Sequence, residues 1–404
     1  MTDHHQGPLA SIKVVDAATI FAGPVAATLL ADYGAEVIKV EHPDGDNLRG
    51  LGWQKDGVSL WWAYANRNKR GVTIKLSHPQ GREAMLRLLG GADVLIENFR
   101  PGTLARWGLG RETLHERNPR LVVARVTGFG QTGPYRDRAG FGTLAESMSG
   151  FAHVNGYPDG PPTLPPFALA DGVAAMATAF AVMTALHWRD NGGGIGQEID
   201  MSIYEPLFSV LGPQSTVYDQ LGLVQGRTGN RAPFTAPRNL YKSRDGVWLG
   251  LSGTTQSTAE RTMYLVGRSD IVDEPWFAGH AGRIEHQDEL DEAIGSWISE
   301  RDAEEVISRF AEAGAAIAPI LDIAGIFEDP QYRARETITS VEHPVLGPVR
   351  MPNVVARLSE TPGRVAMAGP ALGEHNCEVL GALGYGPEDL AELVQAGVIA
   401  GGTH

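Results

Sequence analysis

Ile12-Lys13-Val14-Val15-Asp16, then Phe21-Ala22-Gly23-Pro24, then Ala35-Glu36-Val37-Ile38-Lys39-Val40-Glu41 decide the architecture of this chain. The first stretch is a short apolar strand. Pro24 suits the first turn of a helix, because its missing N–H would have no partner there. Residues 25–33 are small and apolar, and Gly34 stops the helix they form. The third stretch is a second strand. Two strands joined by a helix of this length form a parallel pair with a crossover. The first turn lacks G-x-G-x-x-G, so this is not a dinucleotide fingerprint.

The same alternation continues outward. A strand at 72–76, a helix at 79–90 and the apolar strand Val94-Leu95-Ile96 follow. That strand runs into Glu97-Asn98-Phe99-Arg100-Pro101-Gly102, and a short helix at 103–107 carries Arg106. Ligands gather beyond the carboxyl ends of strands in open parallel sheets, so Asn98, Phe99 and Arg100 are placed to meet one. A strand at 120–126 leads to Gly128-Phe129-Gly130-Gln131-Thr132-Gly133, which does match G-x-G-x-x-G. It is read as a decoy, since Pro134 and the polar run after it do not start a helix. Residues 141–151 predict a helix, 198–201 a strand and 204–218 a helix. The fold class is α/β: a Rossmann-like parallel-sheet large domain at 1–221.

Between 222 and 238, glycines and prolines alternate with polar and basic residues, which reads as a linker. A hairpin at 239–251, helices near 256–266, 287–298 and 303–312, and a strand at 316–320 make a smaller α+β domain at 239–328. Residues 329–404 hold a return segment, an extended stretch at 349–352 and helices at 375–383 and 387–396.

Composition bounds the function. At 404 residues, two domains are expected. A formal net charge of −14 disfavours a nucleic-acid partner, which calls for a basic face. No apolar run is expected to span a membrane, and residues 1–8 lack the regions of a signal peptide. The lone cysteine, Cys377, cannot form an internal disulfide, which fits a cytoplasmic protein. Twelve histidines show no close ligand pair with carboxylates, His4-His5 being a terminal dipeptide, so no metal site is expected. No G-x-S-x-G elbow occurs.

One residue remains conspicuous. Pro165-Pro166-Phe167-Ala168-Leu169-Ala170-Asp171-Gly172 runs into the apolar, alanine-rich stretch 173–183. Asp171 therefore stands where an extended segment turns into a buried helix. It reads either as an N-cap or as a carboxylate nucleophile in a partly dry pocket.

Several segments together resemble the family III CoA-transferases, the group of formyl-CoA transferase and carnitine CoA-transferase. They are Ala22-Gly23-Pro24, Gly34 to Glu41, Asn68-Lys69-Arg70, Val94 to Gly102, Gly128 to Pro134, Ala170-Asp171, Gly196-Gln197, and Pro370 with Leu372-Gly373-Glu374-His375-Asn376. Their order covers nearly the whole chain. The resemblance implies an interlocked, ring-shaped homodimer, with the large domain completed by the C-terminal part and the small domain inserted between two linkers. It implies that Asp171 is the nucleophile that moves coenzyme A from an acyl-CoA donor to a carboxylic acid acceptor. The route runs through aspartyl anhydrides and an aspartyl-CoA thioester, and no cofactor is permanently bound. By position it places CoA contacts at Ile20, Phe21, Ile74, Asn98, Phe99 and Arg106, with His42 where relatives carry a basic residue. Phe21 stands where they carry glutamine, which suggests a more apolar acyl environment. A substrate loop from the small domain is expected at Gly253, Thr254 and Thr255.

Two alternatives are weighed against this. An α-methylacyl-CoA racemase-like epimerase needs a His-Asp pair where this chain has Phe141-Gly142, and neither side chain accepts a proton. A protein that only binds CoA would have no need of Asp171.

Overall fold

A computed structural model describes residues 7–402. The chain divides into two compact units, Met1–Phe151 with Leu164–Gly212 and Gln331–His404, and Ala152–Thr163 with Pro213–Pro330.

The first unit is built on six parallel strands: β1 (Lys13–Asp16), β2 (Glu36–Glu41), β3 (Lys69–Thr73), β4 (Val94–Glu97), β5 (Val122–Thr127) and β6 (Glu198–Ser202). Their spatial order is β3-β2-β1-β4-β5-β6. The order reverses between β1 and β4, where Val14, Val15 and Asp16 pair with Val94, Leu95 and Ile96. Such a reversal leaves a crevice beyond the strand ends, because the connections on either side leave in opposite directions.

Alternation along each strand builds two cores. Val15, Ile38, Val72, Leu95 and Val123 face one side, covered by Met85 and Leu88 and by Val379, Leu380, Leu390 and Leu393 of the C-terminal helices. The return segment thus completes this unit, and Asn376 fastens it: Thr73 N donates to Asn376 Oδ1 at 2.9 Å, and Asn376 Nδ2 donates to the carbonyl of Ala400 at 3.0 Å. Val14, Val37, Val94 and Val122 face the other side. Helix α1 (Ala22–Asp32) and the longer Leu169–Trp188 cover it with alanines, among them Ala26, Ala27, Ala174 and Ala175. Alanine faces let these helices lie close to the sheet and to each other.

The expectation that no segment could span a membrane is corrected. Leu169–Gly193 is long and apolar enough by length and composition. Its buried residues Ala170, Ala174, Thr178, Val182 and Leu186 nevertheless recur at helical spacing, as in a helix laid on a core.

The second unit holds an antiparallel sheet of Arg238–Lys242, Trp248–Ser252 and Ile317–Pro319, with Trp248–Ser252 central. Helices Gln256–Leu265, Gln287–Ser299 and Ala303–Glu312 close its core over Leu249, Leu251, Met263, Ile294 and Phe310. Gly253, Thr254 and Thr255 form the turn before the first of these helices, which Thr255 caps by accepting from Thr258 N at 3.3 Å. The stretch read as a linker at 222–238 is not free. Arg227 donates to the carbonyls of Tyr157 and Gly160 at 3.1 and 2.8 Å, and Gly229 N donates to the Gly156 carbonyl at 2.9 Å. These bonds group residues 152–163 with the second unit, so the large domain does not run unbroken to 221.

Candidate active site

Two loops meet at the crevice between β1 and β4. Thr19 N donates to Asn98 Oδ1 at 2.8 Å, and Asn98 Nδ2 donates back to the Thr19 carbonyl at 2.7 Å. Asn98 thereby ties the β1 loop to the β4 loop. The β4 loop is braced by Glu97, which accepts from Phe99 N at 2.7 Å and from Arg125 at 3.1 Å. Burial pushes Glu97 up to about 7 against the pull of Arg125.

The β1 loop rests on a buried ionic chain. Ile20 N donates to Asp46 at 3.1 Å, Asp46 lies 3.3 Å from Lys39, and Lys39 donates to the Ala18 carbonyl. Lys69 bonds Asp16, the Pro24 carbonyl and Asn66 at 2.8, 2.7 and 2.9 Å. Arg49 closes on Glu41 with two bonds, at 2.7 and 2.8 Å. This support holds Ile20 at φ +66°, a left-handed conformation that a β-branched residue seldom takes.

Asp171 lies above the reversal. It is not the N-cap: helix α3 (Leu169–Trp188) begins two residues earlier, and Ala168 at the cap position supplies no side-chain bond. Asp171 sits in the first turn. Helix α2 (Gly142–Met148) lies beside it and leaves it room, because a Cβ on Gly142 would stand 2.1 Å from Asp171 Oδ2. The same helix presents Glu146, whose Oε1 accepts from Ala170 N at 3.3 Å. Burial first, and the charge of Glu146 second, raise Asp171 to about 6.

Two cavities of the first unit share Ile20, Phe21, Phe141 and Asp171. One, of about 180 Å³, is walled by Thr19, Asn98, Phe99, Arg100, Arg136 and Arg138. The other, of about 380 Å³, is mostly apolar and includes Leu51, Trp61, Pro166, Phe167 and Glu146. The second is within the usual size range of small-ligand pockets. Phe21 and Trp61 meet edge to face in it, 5.2 Å apart.

Of the expected contacts, Ile20, Phe21, Asn98 and Phe99 line the cavity that Asp171 enters. Three others do not. Ile74 is 1% exposed and belongs to the core, so it cannot flank a bound ring. His42 turns to Asp44 at 3.2 Å. Arg106 is exposed and bonds Thr103 at 2.8 Å. Lys69 is spent on Asp16, and Arg70 pairs with Glu36 and Glu378. Gly253, Thr254 and Thr255 lie in the second unit, whereas both cavities are lined by the first unit alone. Glu146 was missed, although Gly142 and Glu146 are spaced i,i+4 and share a helix face. No group of three His, Cys, Asp or Glu side chains able to hold a metal occurs among the described residues.

The CoA-transferase family III model matches residues 9–376. The chain belongs to CoA-transferase family III. This CoA-transferase is 42% identical to a succinyl-CoA–D-citramalate CoA-transferase of Chloroflexus aurantiacus, over 97% of this chain and 98% of that one. It is 35% identical to a succinate–glutarate CoA-transferase of Agrobacterium fabrum, over 95% and 98%. Among solved structures it is similar to a CAIB/BAIF family protein from Brucella suis, with a TM-score of 0.82 and 31% identity over 93% and 99% of the two chains. The enzyme moves CoA from an acyl-CoA to a carboxylate.

Proposed function

We propose that Asp171 is the nucleophile of this CoA-transferase. The observation that carries the reading is that its carboxylate borders both cavities, one walled by arginines and one apolar. The arginine-lined cavity suits the anionic CoA, since guanidinium groups bind phosphate oxygens strongly. The apolar cavity suits the acyl chain. Asp171 attacks the donor thioester, giving an anhydride and CoA thiolate. The thiolate then takes the aspartyl carbonyl, releasing the donor acid and leaving an aspartyl-CoA thioester. The acceptor carboxylate displaces CoA as thiolate, giving a second anhydride. The thiolate finally attacks the acyl carbonyl of that anhydride and frees Asp171. Each intermediate is an activated carboxyl, so the energy of the thioester is kept.

Succinyl-CoA as donor and a short dicarboxylic acid as acceptor are the substrates supported by the activities of the two relatives. Incubating the protein with succinyl-CoA or acetyl-CoA and a panel of carboxylic acids, with mass spectrometry of the thioesters, tests this. Transfer only to monocarboxylates would overturn the substrate assignment. Epimerisation of a branched acyl-CoA with deuterium uptake and no transfer would favour the epimerase instead.

An interlocked homodimer accompanies this reading. Met176 and Phe180 of α3 are 59% and 76% exposed, and a second chain covering them would remove that apolar surface from water. Light scattering that finds a monomer at micromolar concentration would refute it. A cytoplasmic location fits the lone cysteine, Cys377.

A further inference from the structure

We propose that Glu146 is a positioning residue that aims Asp171 into the two cavities and sets a like charge beside it. The inference rests on Asp171 being the nucleophile. Glu146 is 3% exposed and lies on α2 beside the first turn of α3. Its side chain accepts from Ala170 N, one of the helix's free first-turn donors, in a helix whose own cap residue has no side-chain acceptor. It therefore acts as a cap supplied from another helix. That bond fixes the turn from which Asp171 projects, and Gly142, on the same face of α2, leaves space for the Asp171 oxygen.

The second half of the role is charge. Two carboxylates face one helix start, and among the described residues no lysine or arginine is bonded to Glu146. The like charge beside Asp171 disfavours its ionised form and makes its carboxylate a stronger nucleophile once ionised. The other charged groups around Asp171 are Arg100, Arg136 and Arg138 on the cavity walls. Glu205, on the neighbouring helix Tyr204–Ser209, is bonded to the Ser202 hydroxyl. All four remain when Glu146 alone is changed.

The test compares Glu146→Gln with Glu146→Ala in succinyl-CoA-dependent exchange across pH. Glutamine can still accept from Ala170 N but carries no charge. The acid limb of kcat/KM in Glu146→Gln should move down by about one pH unit. Glu146→Ala should show the same displacement and, in addition, a loss of kcat larger than any change in KM. If the Glu146→Gln limb stays in place while Asp171→Ala is inactive, the proposal is overturned and the nucleophile stands. If Asp171→Ala still exchanges CoA, the nucleophile reading falls and this one with it.

Discussion

Two groups of buried or half-buried carboxylates lie near the carboxyl edge of one sheet, and their surroundings differ. Beneath the β1 loop, Asp16, Glu41 and Asp46 meet Lys39, Lys69 and Arg49 at close range. Burial pushes Lys39 down, but the three carboxylates outweigh it and hold its ammonium above the ordinary value. Lys69 is lowered to about 8, mainly by burial. Above the reversal, Asp171 and Glu146 share a helix start with no bonded cation among the described residues, and Asp171 is raised to about 6. Balanced charges hold backbone in place, because each partner meets the other's need for a counter-charge. An unbalanced pair is costly to the fold and persists where chemistry uses it.

Substitutions on either side of this contrast have distinct expected outcomes. Asp171→Ala should lower CoA exchange by about 10³-fold or more while circular dichroism stays unchanged; near-normal turnover would end the nucleophile reading. Lys39→Met leaves Asp46 buried without its cation and should cost about 3–5 kcal/mol in unfolding free energy. A cost below about 1 kcal/mol would show that the ionic chain does not brace the β1 loop. Gly142→Ala forces its Cβ against Asp171 and should reduce kcat about 100-fold by misplacing the carboxylate. If its activity is normal, the tight fit has no bearing on the chemistry.

The smallest effect sharpens the contrast. A carboxylate whose folded value is raised destabilises the fold when ionised. For Asp171 that penalty is complete above about pH 6, and it fades as pH falls toward the unfolded value of 3.8. Asp171→Asn should therefore be more stable than the native chain by about 1–3 kcal/mol at pH 7.5. The gain should shrink as pH is lowered through 6 toward 4, and melting curves over that range would check it. Asp46→Asn removes a charged partner of buried Lys39 and should instead cost stability at the same pH.

Much of this was legible in the residues. Strand and helix alternation from Ile12 to Val126, the carboxyl-end position of Asn98 and Phe99, and the family membership all follow from local pattern and motif order. Period-two and period-3.6 patterns record which face each residue buries. Other features were not legible. His42 is an expected ligand contact by position, and only the fold shows it turned to Asp44. Ile74 looked available, but the sheet buries it. Residues 152–163 belong with the second unit through bonds to Arg227 and Gly229, about 70 positions away. Glu146 and Gly142 acquired meaning only when α2 lay against α3. The amino-acid sequence by itself determined the element types, the sheet class and the family, because those depend on neighbours along the chain. Tertiary structure decided which charges are balanced and which aspartate is left unbalanced, because a carboxylate's surroundings come from segments that only folding brings together.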